Sequence, residues 1–203
     1  MSKPRLVYGF GVNDANYPVT SRVNGRQVCC RYYQTWRSML HRCYGKKSLK
    51  YNQAYIGCSV TSEWKFFSKF KSWMERQSWQ GYELDKDLKC LGNRVYSPEC
   101  CLFVPKVVNN FWIGQEEVDR GVTYDATRKK TPWRARCGSG TRKGRWTAYF
   151  PTKQDARIGY LKYKIQLGEQ ILAGLQSPEV AVAFKARLVV LQVVLQEELN
   201  RGS

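Results

Sequence analysis

GVTYDATRKKTPWRARCGSGTRKGRWTAYFPTKQDARIGYLKYK, residues 121–164, sets twelve basic side chains against two acidic ones. The cations are Arg128, Lys129, Lys130, Arg134, Arg136, Arg142, Lys143, Arg145, Lys153, Arg157, Lys162 and Lys164; the acids are Asp125 and Asp155. Residues 120–125, 132–138 and 146–150 read as three short strands, with Gly138-Ser139-Gly140 turning between the last two. Strand residues two apart share a face, so Arg134 and Arg136 point together, away from Ala135 and Cys137. Thr152 then caps a helix through Ala156, Tyr160, Tyr163 and Leu167 to about Leu172. Positive charge interleaved with Trp133 and Trp146 is the footprint of a surface that grips phosphates and presses planar cations onto base edges. The competing reading is a solvated basic face.

The whole chain has 203 residues, 43% of them hydrophobic and 14% aromatic, which supplies a core and argues against wholesale disorder. A formal net charge of +18 repels itself in a compact fold and favours polyanionic partners. No run of about 20 apolar residues is present to span a bilayer. The N-terminal MSKPRLVYGFGVND lacks the apolar core of a signal peptide, so an intracellular protein is expected. Eight cysteines in that setting point to thiols or metal ligands rather than disulfides. No CxxC pair occurs, but Cys30, Cys43 and Cys58 with His41 could assemble a tetrahedral zinc site. Small buried thiols are the other reading.

Residues 1–28 read as extended chain and turns, broken by Gly9, Gly11, Asn13 and Asp14. From Arg31 the pattern turns helical, with Trp36, Met39, Leu40 and Cys43 at i, i+3, i+4 and i+7. Residues 45–59 read as a polar connection. A second helix, capped by Thr61 or Ser62, carries Trp64, Phe67, Phe70, Trp73 and Met74 on one broad face, as core. In YELDKDLKCLGNRVYSPECCLFVPKVVNNFW, residues 82–112, the pattern predicts a strand over 82–88, a turn at Gly92-Asn93 and a strand over 100–104. Pro105 then opens a short helix. The acidic run 113–120 is the expected junction between residues 1–112 and 121–174. Residues 175–203 form a last helix whose stripe, Phe184, Leu188, Leu191, Leu195 and Leu199, packs on its own domain or forms a homodimer seam. The expected class is α+β: an N-terminal helical and ββα region, a three-stranded antiparallel sheet with a helix, and a C-terminal helix.

The pattern G-V-x-Y-D, W-x-A-x-C, R-W-x-x-Y-F-x-T-x-x-x-A over residues 121–160 resembles the APETALA-type domain of plant ethylene-response factors and phage nucleases. The resemblance implies a three-stranded sheet backed by a helix and laid in the major groove of double-stranded DNA. It places Trp146 and Phe150 at the family's third-strand tryptophan and phenylalanine. Thr123 stands where an arginine is usual, so base specificity is not inherited. The expected DNA contacts are Arg128, Lys129, Lys130, Trp133, Arg134, Arg136, Arg142, Lys143, Arg145 and Trp146.

The runs YYQTWRSMLHRCY, GCSVTSEWKFFSKFKSWM and LDKD…GN..YSPECC.FVP, within residues 30–110, resemble phage-borne HNH endonuclease-like proteins. That resemblance implies a ββα unit holding Mg²⁺ or a similar divalent cation, with Asp85 matching the strand-end aspartate and Asn109 or Asn110 the helix ligand. Lys86 occupies the position of the histidine base, and a lysine at its ordinary pKa of about 10.4 is protonated at neutral pH. Asp87 or a metal-bound hydroxide would have to replace that base, with Arg94 and Lys89 positioning the phosphate. Together the resemblances imply a metal-dependent DNA endonuclease of phage or homing type, acting in the host cytoplasm. The alternative is a DNA-binding protein on an HNH-like scaffold that has lost catalysis and serves a regulatory, protective or anti-defence role.

Overall fold

The computed structural model describes residues 6–112, 121–138 and 145–201, and its class is α+β. The chain forms two compact units, Met1–Phe103 and Val104–Ser203. The junction expected over residues 113–120 lies outside the described residues.

The first unit includes a hairpin, β1 (Thr20–Val23) and β2 (Arg26–Cys29), within the residues read from sequence as extended chain and turns. Its turn residues Asn24 and Gly25 both have positive φ, 51° and 73°. That is the signature of a type I′ turn, whose twist matches the flanking strands. Helix α1 (Arg31–Tyr44) buries Trp36, Met39, Leu40 and Cys43, as their spacing predicts. The supposed polar connection contains α2 (Lys46–Tyr51) and a 3-10 turn at Gln53–Tyr55. Strand β3 (Ser59–Val60) follows, and Thr61 and Ser62 lead into a second 3-10 turn, Glu63–Lys65, rather than capping the next helix. Helix α3 (Phe67–Met74) starts later and takes its cap from far along the chain. The Asp14 carboxylate accepts the Ser68 N–H at 2.8 Å and the Ser68 hydroxyl at 2.5 Å, satisfying a donor the helix leaves open.

Three more short strands complete this unit: β4 (Glu83–Asp85), β5 (Val95–Tyr96) and β6 (Leu102–Val104), the last running into the second unit. β3 pairs in parallel with β5, and β4 neighbours β6. The core is aromatic: Trp36, Trp64, Phe67 and Phe70 are all fully buried. The Trp36 indole N–H donates to the Trp64 carbonyl at 2.7 Å, so α1 is hydrogen-bonded as well as packed onto the segment before α3.

In the second unit, α4 (Lys106–Trp112) precedes an antiparallel sheet in the order β7 (Val122–Tyr124), β8 (Trp133–Gly138), β9 (Arg145–Phe150). Helix α5 (Lys153–Ala173) packs on one face of that sheet, burying Val122, Ala135, Cys137, Ala156, Tyr160 and Leu161. Thr152 caps α5 as expected, its hydroxyl accepting the Asp155 N–H at 3.1 Å. Helix α6 (Pro178–Asn200) folds back along α5, with Gln154 near the start of α5 donating to the Glu198 carbonyl at 2.8 Å. Phe184 and Leu188 are buried and Leu191 and Leu195 pack against the sheet-helix core, so this stripe is used within its own unit. Lys164, itself buried, donates to the Phe111 carbonyl at 2.5 Å and ties α4 to α5. No described helix is long and apolar enough to cross a membrane.

Gly168 marks a close approach of α5 and α6. A Cβ there would stand 2.3 Å from Leu188 Cδ2 and 3.0 Å from the Phe111 ring, both buried. Alanine would gain about 1 kcal/mol of helix propensity but overpack a buried site against Leu188 and Phe111, at a cost of about 1–3 kcal/mol. Gly168→Ala is therefore expected to lower stability by about 1 kcal/mol in denaturant titration, despite placing the better helix former in the middle of a helix.

Candidate nucleic-acid interface

The strand register assigns every residue of the sheet to a face. Val122, Ala135 and Ala148 align across the three strands, as do Tyr124, Trp133 and Phe150, with Cys137 opposite Trp146. These rows face α5. The alternate rows are Thr123, Arg134 and Tyr149; then Arg136 with Thr147; then Gly138 with Arg145. They form the face turned away from the helix, because side chains alternate along a strand.

Three arginines thus share one face on neighbouring strands, and two of the cations at this face are held in place by neighbours. Arg134 donates its Nε–H to the Thr123 hydroxyl at 3.1 Å, leaving the two terminal guanidinium nitrogens directed elsewhere. Thr123 thus orients an arginine across the strands. Arg128, in the β7–β8 loop, lies 3.6 Å above the Tyr149 ring centroid, a close cation–π contact. Between residues 121 and 154 the only acidic side chain is Asp125. Its carboxyl accepts the Thr127 hydroxyl at 2.6 Å and the Thr127 N–H at 3.1 Å, shaping the loop. Those hydrogen bonds, with Arg128 and Arg134 nearby, hold the Asp125 carboxyl below its ordinary pKa.

Among the expected contacts, Arg128, Lys129, Lys130, Arg136 and Arg145 are exposed, and Arg134 is half-buried on the outer face. Arg142 and Lys143 lie outside the described residues. Trp133 and Trp146 are half-buried. Both sit on the helix side, Trp146 stacked on Tyr163 at 4.6 Å and 9°, Trp133 edge-on to Tyr124 at 5.1 Å. They build the core behind the surface. Tyr149 and Thr147 are not singled out by the sequence reading, although parity with Arg145 along β9 places both on the outer face.

The cluster at residues 85–94 is a tightly bonded turn. Asp85 Oδ1 accepts the N–H of Asp87 at 2.9 Å and of Leu88 at 2.6 Å. Lys86 is buried, its ammonium bonded to Asp87 at 2.5 Å and to the Asn93 carbonyl at 2.9 Å. Asn93 returns its side-chain amide to the carbonyls of Lys86 and Val95. Arg94 donates to the Ile56 carbonyl at 2.6 Å. Burial works to lower the Lys86 pKa, but the Asp87 hydrogen bond and charge outweigh it and the value is raised. Lys86 is therefore a cation at neutral pH, unable to accept a proton from water. Asn109 lies in α4 of the second unit, where its N–H donates to the Pro105 carbonyl at 3.2 Å.

The four residues weighed for zinc are spread along and around α1. Cys30 is its N-cap, and His41 and Cys43, two apart on a helix, point to different sides. His41 packs against Tyr8 at 5.1 Å, Cys58 donates to the Ala54 carbonyl at 3.8 Å, and burial pushes the Cys43 thiol up to about 12. Among the described residues no three His, Cys, Asp or Glu side chains gather to hold a metal ion.

If the Lys86–Asp87 pair is structural, removing the carboxylate leaves a buried ammonium with one carbonyl partner. Such losses cost about 3–5 kcal/mol when both partners are buried. Asp87 is 45% exposed, so the loss for Asp87→Ala is expected nearer about 1–2 kcal/mol by denaturant titration. Because the Lys86 pKa is raised on folding, this stabilisation is complete at neutral pH and fades only as pH rises through the folded-state value above 10.5. No protein-family model, curated protein or solved structure matches this chain.

Proposed function

We propose that this protein binds double-stranded DNA by laying the outer face of β7, β8 and β9 in the major groove. The single observation that carries the reading is the alignment of Arg134, Arg136 and Arg145 on that face, with Arg128 stacked on Tyr149 beside them. The dimensions suit the task. Same-face residues in a strand repeat at about 6.8 Å, close to two base steps of about 3.4 Å along one DNA strand. Three strands spaced at about 4.8 Å make a sheet about 10 Å wide, against a major groove of about 12 Å. The resemblance over residues 121–160 to APETALA-type domains supports the same docking.

Binding is favoured over cutting because residues 85–94 are engaged in holding their own turn. The residue at the general-base position is a buried ammonium, one oxygen of the strand-end aspartate accepts two backbone N–H groups, and the arginine meant for phosphate bonds a carbonyl. This favours the reading in which the HNH-like region is a scaffold.

Fluorescence anisotropy on duplex DNA across a salt series tests the proposal. With at least four arginines engaged, log K against log salt should fall with a slope of about −4 or steeper. Arg136→Ala/Arg145→Ala should weaken binding at least about tenfold at about 0.15 M salt, each arginine on a base or phosphate being worth about 1 kcal/mol or more. Binding by that double variant at wild-type affinity would refute the docking face. Plasmid incubated with Mg²⁺ or Mn²⁺ should stay supercoiled; nicking that disappears in Asp85→Ala would instead establish the endonuclease reading.

A further inference from the structure

We propose that the β1–β2 hairpin is a second DNA-binding arm, a two-stranded ribbon that carries Arg22 and Arg26 onto the phosphates of the duplex. This inference rests on the DNA-binding reading above. The hairpin contributes nothing to the core of its unit: seven of its eight strand residues are exposed, and Cys29 is only half-buried. A lone two-stranded hairpin is marginal in water, and this one depends on its Asn24-Gly25 turn for register. That register puts Arg22 opposite Gln27 on one face with Thr20, and an open polar depression of about 260 Å³ is lined by Thr20, Ser21, Arg22 and Gln27. Val23 opposite Arg26, and Ser21 opposite Val28, make the other face, with Val23 53% and Val28 47% exposed.

Charge complementarity identifies the occupant. No acidic residue occurs between Asp14 and Glu63, a stretch that also holds Arg31, Lys46, Lys47 and Lys50. The Arg22 and Arg26 side chains make no hydrogen bond or ion pair among the described residues. Two unpaired guanidinium groups on a protruding ribbon add self-repulsion to a chain already at +18, a cost that a polyanion offsets. A two-stranded ribbon is an element the major groove admits, with arginines able to reach the flanking phosphates.

The test compares Arg22→Ala/Arg26→Ala and Arg22→Lys/Arg26→Lys with the wild-type full-length chain on the same duplex, over the same salt series. The alanine variant should show a slope shallower by about two units, one for each phosphate no longer neutralised, and the lysine variant should keep the wild-type slope. Both should melt as the wild type does, since neither position touches the core. An alanine variant with the wild-type slope overturns the inference. Equal weakening of binding to polyglutamate and to DNA would also overturn it, by showing a general anion grip. If wild type binds DNA and Arg136→Ala/Arg145→Ala weakens it while the hairpin variant does not, the arm alone is refuted. If wild type fails to bind duplex DNA, the sheet reading and the arm fall together.

Discussion

Burial of Ala135 and Cys137 beneath α5 is the constraint on which the proposed interface depends. Both are nearly inaccessible, at 0% and 3% exposure, and they leave room for the helix to lie close. Because a strand alternates its faces, anchoring these two residues inward forces Arg134 and Arg136 outward. Register then extends the effect across hydrogen-bonded neighbours, fixing Thr123 and Tyr149 beside Arg134 and Thr147 beside Arg136. The helix is held in turn by α6 through the close approach at Gly168 and the bond from Gln154 to the Glu198 carbonyl. Packing on one side of the sheet therefore sets the positions of cations on the other.

Where side-chain pattern alone determines structure, the sequence is legible. The period of α1 names its four buried residues, and the Thr152 cap, the three-stranded sheet and the α6 stripe appear as their patterns predict. The hairpin at residues 20–29 is hidden because its strands have no alternation of apolar and polar residues; only the Asn24-Gly25 turn marks it. The start of α3 is displaced from its expected place because its cap, Asp14, comes from another part of the chain, a long-range partner no local signal shows. Trp133 and Trp146 resemble contacts only through their company of arginines. Their parity along the strands puts them with Ala135 and Cys137, and two large aromatic rings gain more from burial against a helix than from water.

The residues at 85–94 show how one set of side chains supports two readings until bonds are assigned. Aspartate, lysine, aspartate and arginine around a Gly-Asn turn have the composition of a phosphodiesterase site. They also have the composition of a turn that must satisfy its own backbone. Asp85 takes two N–H groups, Asn93 two carbonyls and Arg94 a third, while the buried Lys86 needs Asp87 to remain charged at tolerable cost. A general base has to give up such a partner to accept a proton, and a lysine whose charge is stabilised by a carboxylate is pushed the wrong way.

Under the proposed reading, affinity and selectivity have different sources. A charge of +18 draws the chain to any polyanion, and the acid-free stretch from residue 15 to 62 adds to that attraction without reading sequence. Discrimination requires donors fixed in direction, because a mobile cation finds an acceptor on every base step. Among the described residues two arginines at the outer face have that fixity: Arg134, restrained by Thr123, and Arg128, restrained by the Tyr149 ring and the Asp125 loop. An arginine whose Nε is already engaged offers its terminal nitrogens as a planar pair, the geometry that matches the two acceptors of guanine in the major groove. Thr123 adds no cation to the face but fixes the direction of the one it holds, and in a chain of +18 direction is scarcer than attraction.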